Sequence, residues 1–201
     1  LDHRARLLEA MARAVASKGY GDTTLADIVA AANVSRRTFY EHFADKAECL
    51  LALYEHSSNR LVERVRTAID PQADGPQQVR QAMAAYLDTL AQHPELLRTV
   101  FMDILALGER GLAVRRQGYE RLADLVVDMS RHRAAHTGGQ ALSKPLAMAV
   151  VGGVNELVLM HIEHGRAEHL HELLDPACAL LMAVAPPAPH PSGDPRPHGT
   201  G

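Results

Sequence analysis

Apolar residues recur at intervals of three and four along almost the whole chain, and no stretch alternates strictly enough to suggest a strand, so the pattern predicts helices throughout. A first helix, about Arg4 to Lys18, sets Leu7, Leu8, Met11, Ala12 and Val15 on one face, and Gly19 and Gly21 end it. Two short helices follow. A long one then runs from Asp45 with Leu50, Leu51, Leu53, Tyr54, Leu61, Val62, Val65 and Ile69, and closes at Asp70-Pro71. Beyond the loop to Gly75, helices are expected to about Gln92, from Pro94 to Gly108, from Glu109 to His136, from Ser143 to His164, and from about Glu168 to Val184. Pro94 suits a first helical turn, whereas Pro176 reads either as a fresh first turn or as a kink. Thr137-Gly138-Gly139 reads as a turn, and the run beyond Ala185, PPAPHPSGDPRPHGTG, has no side chains to build a core and is expected to be disordered.

The densest information lies between Thr24 and Lys46, TLADIVAAANVSRRTFYEHFADK. Thr24 with Asp27 three residues on, Ser35, and Asp45 with Glu48 three residues on are three helix starts in quick succession. Each offers a side-chain oxygen to an orphan N–H of a first turn, and Asp27 and Glu48 complement the dipole. Asn33 stands where the backbone must turn sharply, and among non-glycine residues Asn best adopts a left-handed φ/ψ. Val34 can then drop between the two helices. In the second of these, Phe39 and Phe43 recur at i and i+4 as a buried stripe, leaving Ser35, Arg36, Arg37, Thr38, Tyr40 and His42 towards its N-terminal and outer side. A helix anchored by two aromatics and presenting arginines and hydroxyls is shaped to enter a DNA major groove.

The run Gly19-Tyr20-x-x-Thr23-Thr24-Leu25-x-Asp27-Ile28, followed by Asn33-Val34-Ser35-x-x-Thr38-Phe39-Tyr40-x-His42-Phe43-x-Asp45-Lys46, resembles the N-terminal domain of TetR-type transcriptional regulators. Two positions depart from that family's pattern: Asn33 replaces the usual turn glycine, and Arg37 stands where Gly or Pro is frequent. The resemblance implies an all-α protein with a helix-turn-helix DNA-binding domain over residues 1–46, a helical ligand-binding and dimerisation domain over 47–185, and a tail over 186–201. It implies no catalytic residues. Arg36 and Arg37 become candidates for base reading, Thr38 and Tyr40 for mixed contacts, and Thr24, Ser35, Tyr40, His42 and Lys46 for holding phosphates of double-stranded operator DNA.

A formal net charge of −3 means that DNA attraction must come from a local patch, for which Arg4, Arg6, Arg13, Lys18, Arg36, Arg37 and Lys46 are available. Nearby Asp2, Glu9, Asp22, Asp27, Glu41 and Asp45 nearly cancel them in sum, so facing decides. The arginines of the seventh helix, Arg115, Arg116, Arg121, Arg131 and Arg133, read as a solvated face, with a second nucleic-acid site as the lesser alternative. Cys49 and Cys178 are too few and too far apart for a disulfide framework, and reduced, partly buried thiols of a cytoplasmic protein are expected. No leader pattern is visible, and the most apolar run, Pro145 to Val154, is too short to span a bilayer.

The eighth helix is apolar nearly all round and carries Gly152-Gly153 in its middle, where the pair costs stability unless another helix approaches closely. The resemblance makes Gly152, Gly153, Val154 and Leu157, with Leu180, Leu181 and Val184, candidates for a homodimer contact. A helix packed centrally in a monomer is the alternative. Met83, Tyr86, Phe101, Met102, Leu105, Tyr119, Asn155 and Glu156 put sparse polar groups among apolar ones, as a cage for an apolar small-molecule effector would. Equally, Met and Phe can fill a core while Asn155 and Glu156 satisfy each other or a helix end. His161, His164, His169 and His171 lack an acidic partner at metal-site spacing, so no metal or other cofactor is expected. No phosphate-cradling Gly loop, nucleophile elbow or His-Glu-x-x-His pair occurs. The reading is a ligand-responsive DNA-binding repressor. Its rival is an all-α binding protein or enzyme without a DNA role, in which two exposed arginines beside Thr38, Tyr40 and His42 would have no purpose.

Overall fold

The computed structural model describes residues 2–137 and 139–184, with the backbone alone at 136 and 137. The expected tail at 186–201 and Gly138 of the expected turn lie outside these residues. Among the described residues there are nine α-helices and no strand: α1 (His3–Asp22), α2 (Leu25–Ala32), α3 (Arg36–Tyr40), α4 (Lys46–Ala68), α5 (Gly75–Ala91), α6 (Pro94–Phe101), α7 (Glu109–Thr137), α8 (Lys144–Glu163) and α9 (Leu174–Val184). Two 3₁₀ segments, Asp103–Leu107 and Ala167–Leu173, precede α7 and α9.

The expected helix starts are present. Thr24 and Asp27 form a reciprocal capping box on α2, Ser35 caps α3 by accepting from the Thr38 N–H, and Asp45 caps α4 by accepting from the Glu48 N–H. Three boundaries differ from the sequence reading. α1 runs on past Lys18, but Gly19 interrupts it at φ 77°, a conformation that favours glycine, before one more turn to Asp22. The sixth helix ends at Phe101, and the chain tightens into the 3₁₀ segment instead of continuing to Gly108. The ninth starts at Leu174, so Asp175-Pro176 is a fresh first turn and not a kink, since a first-turn residue needs no N–H partner.

The helices enclose two cores that meet along α4. One gathers Leu7, Met11, Val15, Ile28, Phe39 and Phe43 with Cys49, Leu50, Leu53 and Tyr54 of α4. The other gathers Val65 with the inner faces of α5, α7, α8 and α9. Residues from outside the N-terminal unit, Ile104 of the 3₁₀ segment and Val114 of α7, are buried in the first core, and Val100 packs against both. The first core therefore extends past residue 46 along α4, and the two regions are not independent modules.

α8 spans Lys144–Glu163 and is long and apolar enough to cross a membrane by length and composition, which the shorter run read from the sequence had not suggested. Its inner face, including Ala147, Val150, Val151, Val154 and Val158, is buried within the protein's own second core.

Candidate nucleic-acid interface and effector cavity

The turn before α3 is built as its sequence demands. Asn33 takes φ 49° and ψ 53°, its N–H donates to the Ala30 carbonyl at 3.1 Å, and the Val34 N–H donates to the Val29 carbonyl at 3.1 Å. Beyond it, Phe39 is 0 % and Phe43 3 % exposed, their ring centres 5.7 Å apart. This anchor leaves the opposite side free: Arg36, Arg37, Tyr40 and His42 are exposed, Tyr40 at 58 %. Arg36 has no hydrogen-bond or ion-pair partner among the described residues. Arg37 donates to Glu41 at 3.3 Å with its side chain 90 % exposed, a contact weak enough to yield to a stronger acceptor. The Ser35 and Thr38 hydroxyls lie 3.0 Å apart, and the Ser35 oxygen also accepts from the Thr38 N–H as the cap.

The other basic residues are largely engaged in the scaffold. Arg6 donates to the carbonyls of Ala32 and Asn33, and Arg13 to that of Ala31, so both close the C-terminus of α2. Lys18 pairs with Asp27 at 2.7 Å. That ammonium, followed by the Thr24 hydroxyl and N–H, holds the Asp27 carboxyl well below the usual carboxylate range. Lys46 also turns inward: its ammonium donates to the Tyr20 and Thr23 carbonyls at 2.9 and 2.7 Å and lies 4.1 Å from the Tyr20 ring centre. This structure thus uses Lys46 to tie the end of α1 to the start of α4. The local patch that remains is centred on α3.

Two links join this unit to the second region. The Asp103 carboxylate accepts from the Thr99 hydroxyl at 3.1 Å and the Tyr20 N–H at 3.4 Å, and Arg110 pairs with Asp45 at 3.6 Å. Between the two cores lies a cavity of about 190 Å³, walled by α4 (Tyr54, Leu61), α5 (Tyr86), α6 (Leu97, Phe101), α7 (Tyr119) and Asn155 of α8. Tyr86 donates to the Asn155 side-chain oxygen at 3.1 Å, and the Asn155 amide donates to the Val151 carbonyl at 2.8 Å. That buried pair also borders a smaller pocket of about 40 Å³ that includes Met83. Burial raises the hydroxyls of Tyr54, to about 12, and of Tyr86 and Tyr119.

Of the residues expected at the cage, Tyr86, Phe101, Tyr119 and Asn155 line the cavity and Met83 its smaller neighbour. Met102, Leu105 and Glu156 line neither. Leu105 is on the outer side of the 3₁₀ segment and Glu156 is exposed, because adjacent positions on a helix point about 100° apart and Asn155 takes the inward one. The α4 contribution, including Ser57, Arg60 and Arg64, was missed; Tyr54, Ser58 and Leu61 at helical spacing were the available signal. α7 is also not a purely solvated basic face. Arg115 donates to the Tyr119 hydroxyl at 2.9 Å, and Arg121, half-buried, donates to Ser58 at 3.4 Å.

The expected dimer residues divide. Val154 and Leu181 are 4 % and 6 % exposed within the chain's own core, and a Cβ at Gly153 would stand 3.1 Å from Leu180 of the same chain. Gly152 has open space above it. Leu157, Leu180 and Val184 are half-buried, while Leu146, Met160 and Met182 expose apolar side chains that the sequence reading did not select. The histidines divide too. His164 is hydrogen-bonded to the Met160 carbonyl at 2.6 Å, whereas His169 and His171 are joined by an acidic neighbour, Glu172, with their donor atoms within 4.8 Å of one another. The helical spacing rule missed Glu172 because this stretch is a 3₁₀ segment. Its carboxylate is paired to Arg166 and held low chiefly by that hydrogen bond.

Residues 7–53 match the model of the family described as bacterial regulatory proteins, tetR family. The transcriptional activator FasR of Mycolicibacterium smegmatis is 27 % identical over 128 residues, covering 64 % of this chain and 58 % of its own length. The regulator TtgR of Pseudomonas putida is 46 % identical over 52 residues, 26 % of this chain and 25 % of its own. The chain therefore spans little more than half, or only a quarter, of these relatives. Among solved structures, the fatty acid degradation regulator FadR of Bacillus halodurans superposes with a TM-score of 0.77 at 17 % identity, covering 90 % of this chain and 95 % of that one. FadR of Bacillus subtilis, solved in complex with stearoyl-CoA, gives 0.70 at 18 %, covering 88 % and 96 %. At these identities the structural likeness speaks for the fold, and the N-terminal match speaks for the DNA-binding unit. With both in place, residues 7–53 are a TetR-type DNA-binding unit, and the chain as a whole resembles TetR-type transcriptional regulators.

Proposed function

We propose that this protein is a ligand-responsive repressor that binds a near-palindromic operator as a homodimer in the cytoplasm and is released by a small lipophilic molecule. The observation that carries this reading is that the cavity lies between the two cores. Tyr54 belongs to the DNA-binding core and lines the cavity, so an occupant bears directly on the unit that holds α3. Arg36 and Arg37 read bases, Thr38 and Tyr40 make mixed contacts, and Thr24, Ser35 and His42 hold phosphates; Lys46 acts mainly by positioning α1.

One α3 reaches only a few base pairs, so specificity needs two copies about 34–36 Å apart. The half-exposed apolar stripe of α8 and α9, from Leu146 through Gly152, Leu157 and Met160 to Leu180, Met182 and Val184, is the face offered to a second copy. A ligand lowers DNA affinity only by binding one spacing of the two α3 helices better than the other. α4, running from Lys46 to the cage at Val65, is the lever. The sign of regulation is read by a reporter gene, since FasR is named an activator and FadR a regulator of fatty acid degradation.

The test is a footprint on the DNA upstream of the protein's own gene, with sedimentation and a panel of lipophilic compounds. A dimer protecting two half-sites one helical turn apart, with protection lost on adding a compound that also raises Tm, supports the proposal. A stable monomer at micromolar concentration, or binders that leave protection untouched, refutes the dimer or the switch respectively.

A further inference from the structure

Two histidines and a glutamate meet on the connection between α8 and α9. The 3₁₀ segment Ala167–Leu173 is anchored by Leu170 and Leu173, which are 0 % and 5 % exposed in the second core. The residues beside those anchors, His169, His171 and Glu172, are exposed on its outer side. The backbone is tied at both ends. The Arg166 N–H donates to the His161 carbonyl in the last turn of α8 at 2.8 Å, and the Leu174 N–H at the start of α9 donates to the His171 carbonyl. The three side chains therefore rise from a fixed stretch of chain.

One nitrogen of each imidazole and one Glu172 oxygen all lie within 4.8 Å of one another, with the two ring centres 6.0 Å apart. His169 Nδ1 and Glu172 Oε1 are already 3.8 Å apart. Ligand atoms at zinc-ligand bond lengths of about 2.0–2.1 Å stand about 3.4 Å from one another in a tetrahedral site, so small torsional changes of exposed side chains close the gap. The carboxylate oxygens divide their roles. Oε2 accepts from the Arg166 guanidinium, which leaves Oε1 on the side of His169. A hydrogen bond to a ligating carboxylate is what orients such a ligand towards an ion. Two imidazoles and one carboxylate suit a divalent transition ion such as Zn²⁺, whereas Mg²⁺ and Ca²⁺ take oxygen ligands.

We propose that His169, His171 and Glu172 form a binding site for a zinc-type divalent ion, with Arg166 as the positioning residue for Glu172. Three protein ligands leave a fourth position for water. The ligands stand between the last turn of α8 and the first of α9, so a bound ion braces that connection. The site shares no residue with the effector cavity and stands apart from the effector reading.

The test titrates ZnCl₂ into the full chain, free of any affinity tag and stripped with a chelator, in buffer holding excess Mg²⁺, followed by calorimetry and by Tm. The wild type should bind one Zn²⁺ per chain at this site despite the Mg²⁺, and Tm should rise with occupancy. His169→Ala or His171→Ala should weaken binding by about a hundredfold or more, and Arg166→Gln by about tenfold, as loss of an orienting partner does. All three ligands are exposed, so these variants keep the fold. His164→Ala, an exposed neighbour whose ring is bonded to the Met160 carbonyl, should bind like the wild type. Equal or tighter binding in Arg166→Gln would overturn the positioning role and leave the three ligands. If the wild type binds no Zn²⁺, or binds it no tighter than a variant lacking both His169 and His171, other histidines account for any uptake and the site is overturned.

Discussion

Replacing Lys46 by methionine separates two jobs, positioning α1 and holding a phosphate, at the start of α4. Its ammonium donates to the Thr23 carbonyl at 2.7 Å and the Tyr20 carbonyl at 2.9 Å, and packs on the Tyr20 ring. A hydrogen bond with a charged partner contributes about 1.5–3 kcal/mol, and an exposed cation–ring contact about 0.5–1 kcal/mol. The site is only half-buried and methionine keeps the packing of the stem, so these do not add in full; a loss of about 2 kcal/mol is expected. In a chain of 201 residues that lowers Tm by about 4–8 °C. The assay pairs urea unfolding with upstream-DNA binding at several salt concentrations. A positioning residue leaves the slope of log K against log[salt] unchanged, whereas a lost phosphate contact makes it shallower by about 0.9 per protomer. Unchanged stability with a shallower slope would refute the positioning role and return Lys46 to the phosphate contacts.

Tyr86→Phe removes the donor to a buried Asn155 oxygen and should cost about 1–3 kcal/mol, seen as a lower urea midpoint at constant m; an unchanged midpoint would mean that water already serves that oxygen. Burial pushes the Cys49 thiol up to about 12 and raises half-buried Cys178 less, so a disulfide reagent at pH 8 should modify one thiol of the native protein. Cys178→Ser should abolish that phase, and persistence of the phase would place Cys49 within reach of solvent. The Asp27 carboxyl titrates below its ordinary 3.8 in the folded chain, so its contribution to stability is fully present above that value and is lost as pH falls through the lower, folded one. Asp27→Asn should therefore flatten the acid limb of the Tm profile, and an unaltered limb would remove the Lys18 and Thr24 bonds from the account.

What was legible in the sequence was local. The i and i+4 spacing of Phe39 and Phe43, the three capping residues and the left-handed Asn33 each depend on neighbours within four positions, and all are realised. Charge was harder to read. Arg6, Arg13 and Lys46 counted towards a basic patch, yet each is engaged with carbonyls 18 to 27 residues away. Such long-range capping leaves no periodic trace. Ile104 and Phe101 looked like one apolar stripe, but the switch to 3₁₀ winding after Phe101 sends Ile104 into the DNA-binding core and leaves Phe101 at the cavity. Glu156 was the avoidable error, since helical geometry alone separates it from Asn155. A face for a second copy could not be told from core by composition, because α8 is apolar on both its buried and its exposed sides.

The central claim is that α3 reads DNA through its two exposed arginines, and the affinity of Arg36→Ala for the DNA upstream of the protein's own gene tests it most directly. Arg36 is exposed and makes no hydrogen bond or ion pair among the described residues, so its removal should leave folding intact. The variant should bind the specific site more weakly by about 1–3 kcal/mol per half-site and discriminate less at one base position in each. Wild-type affinity and unchanged base preference in both Arg36→Ala and Arg37→Ala would contradict the claim.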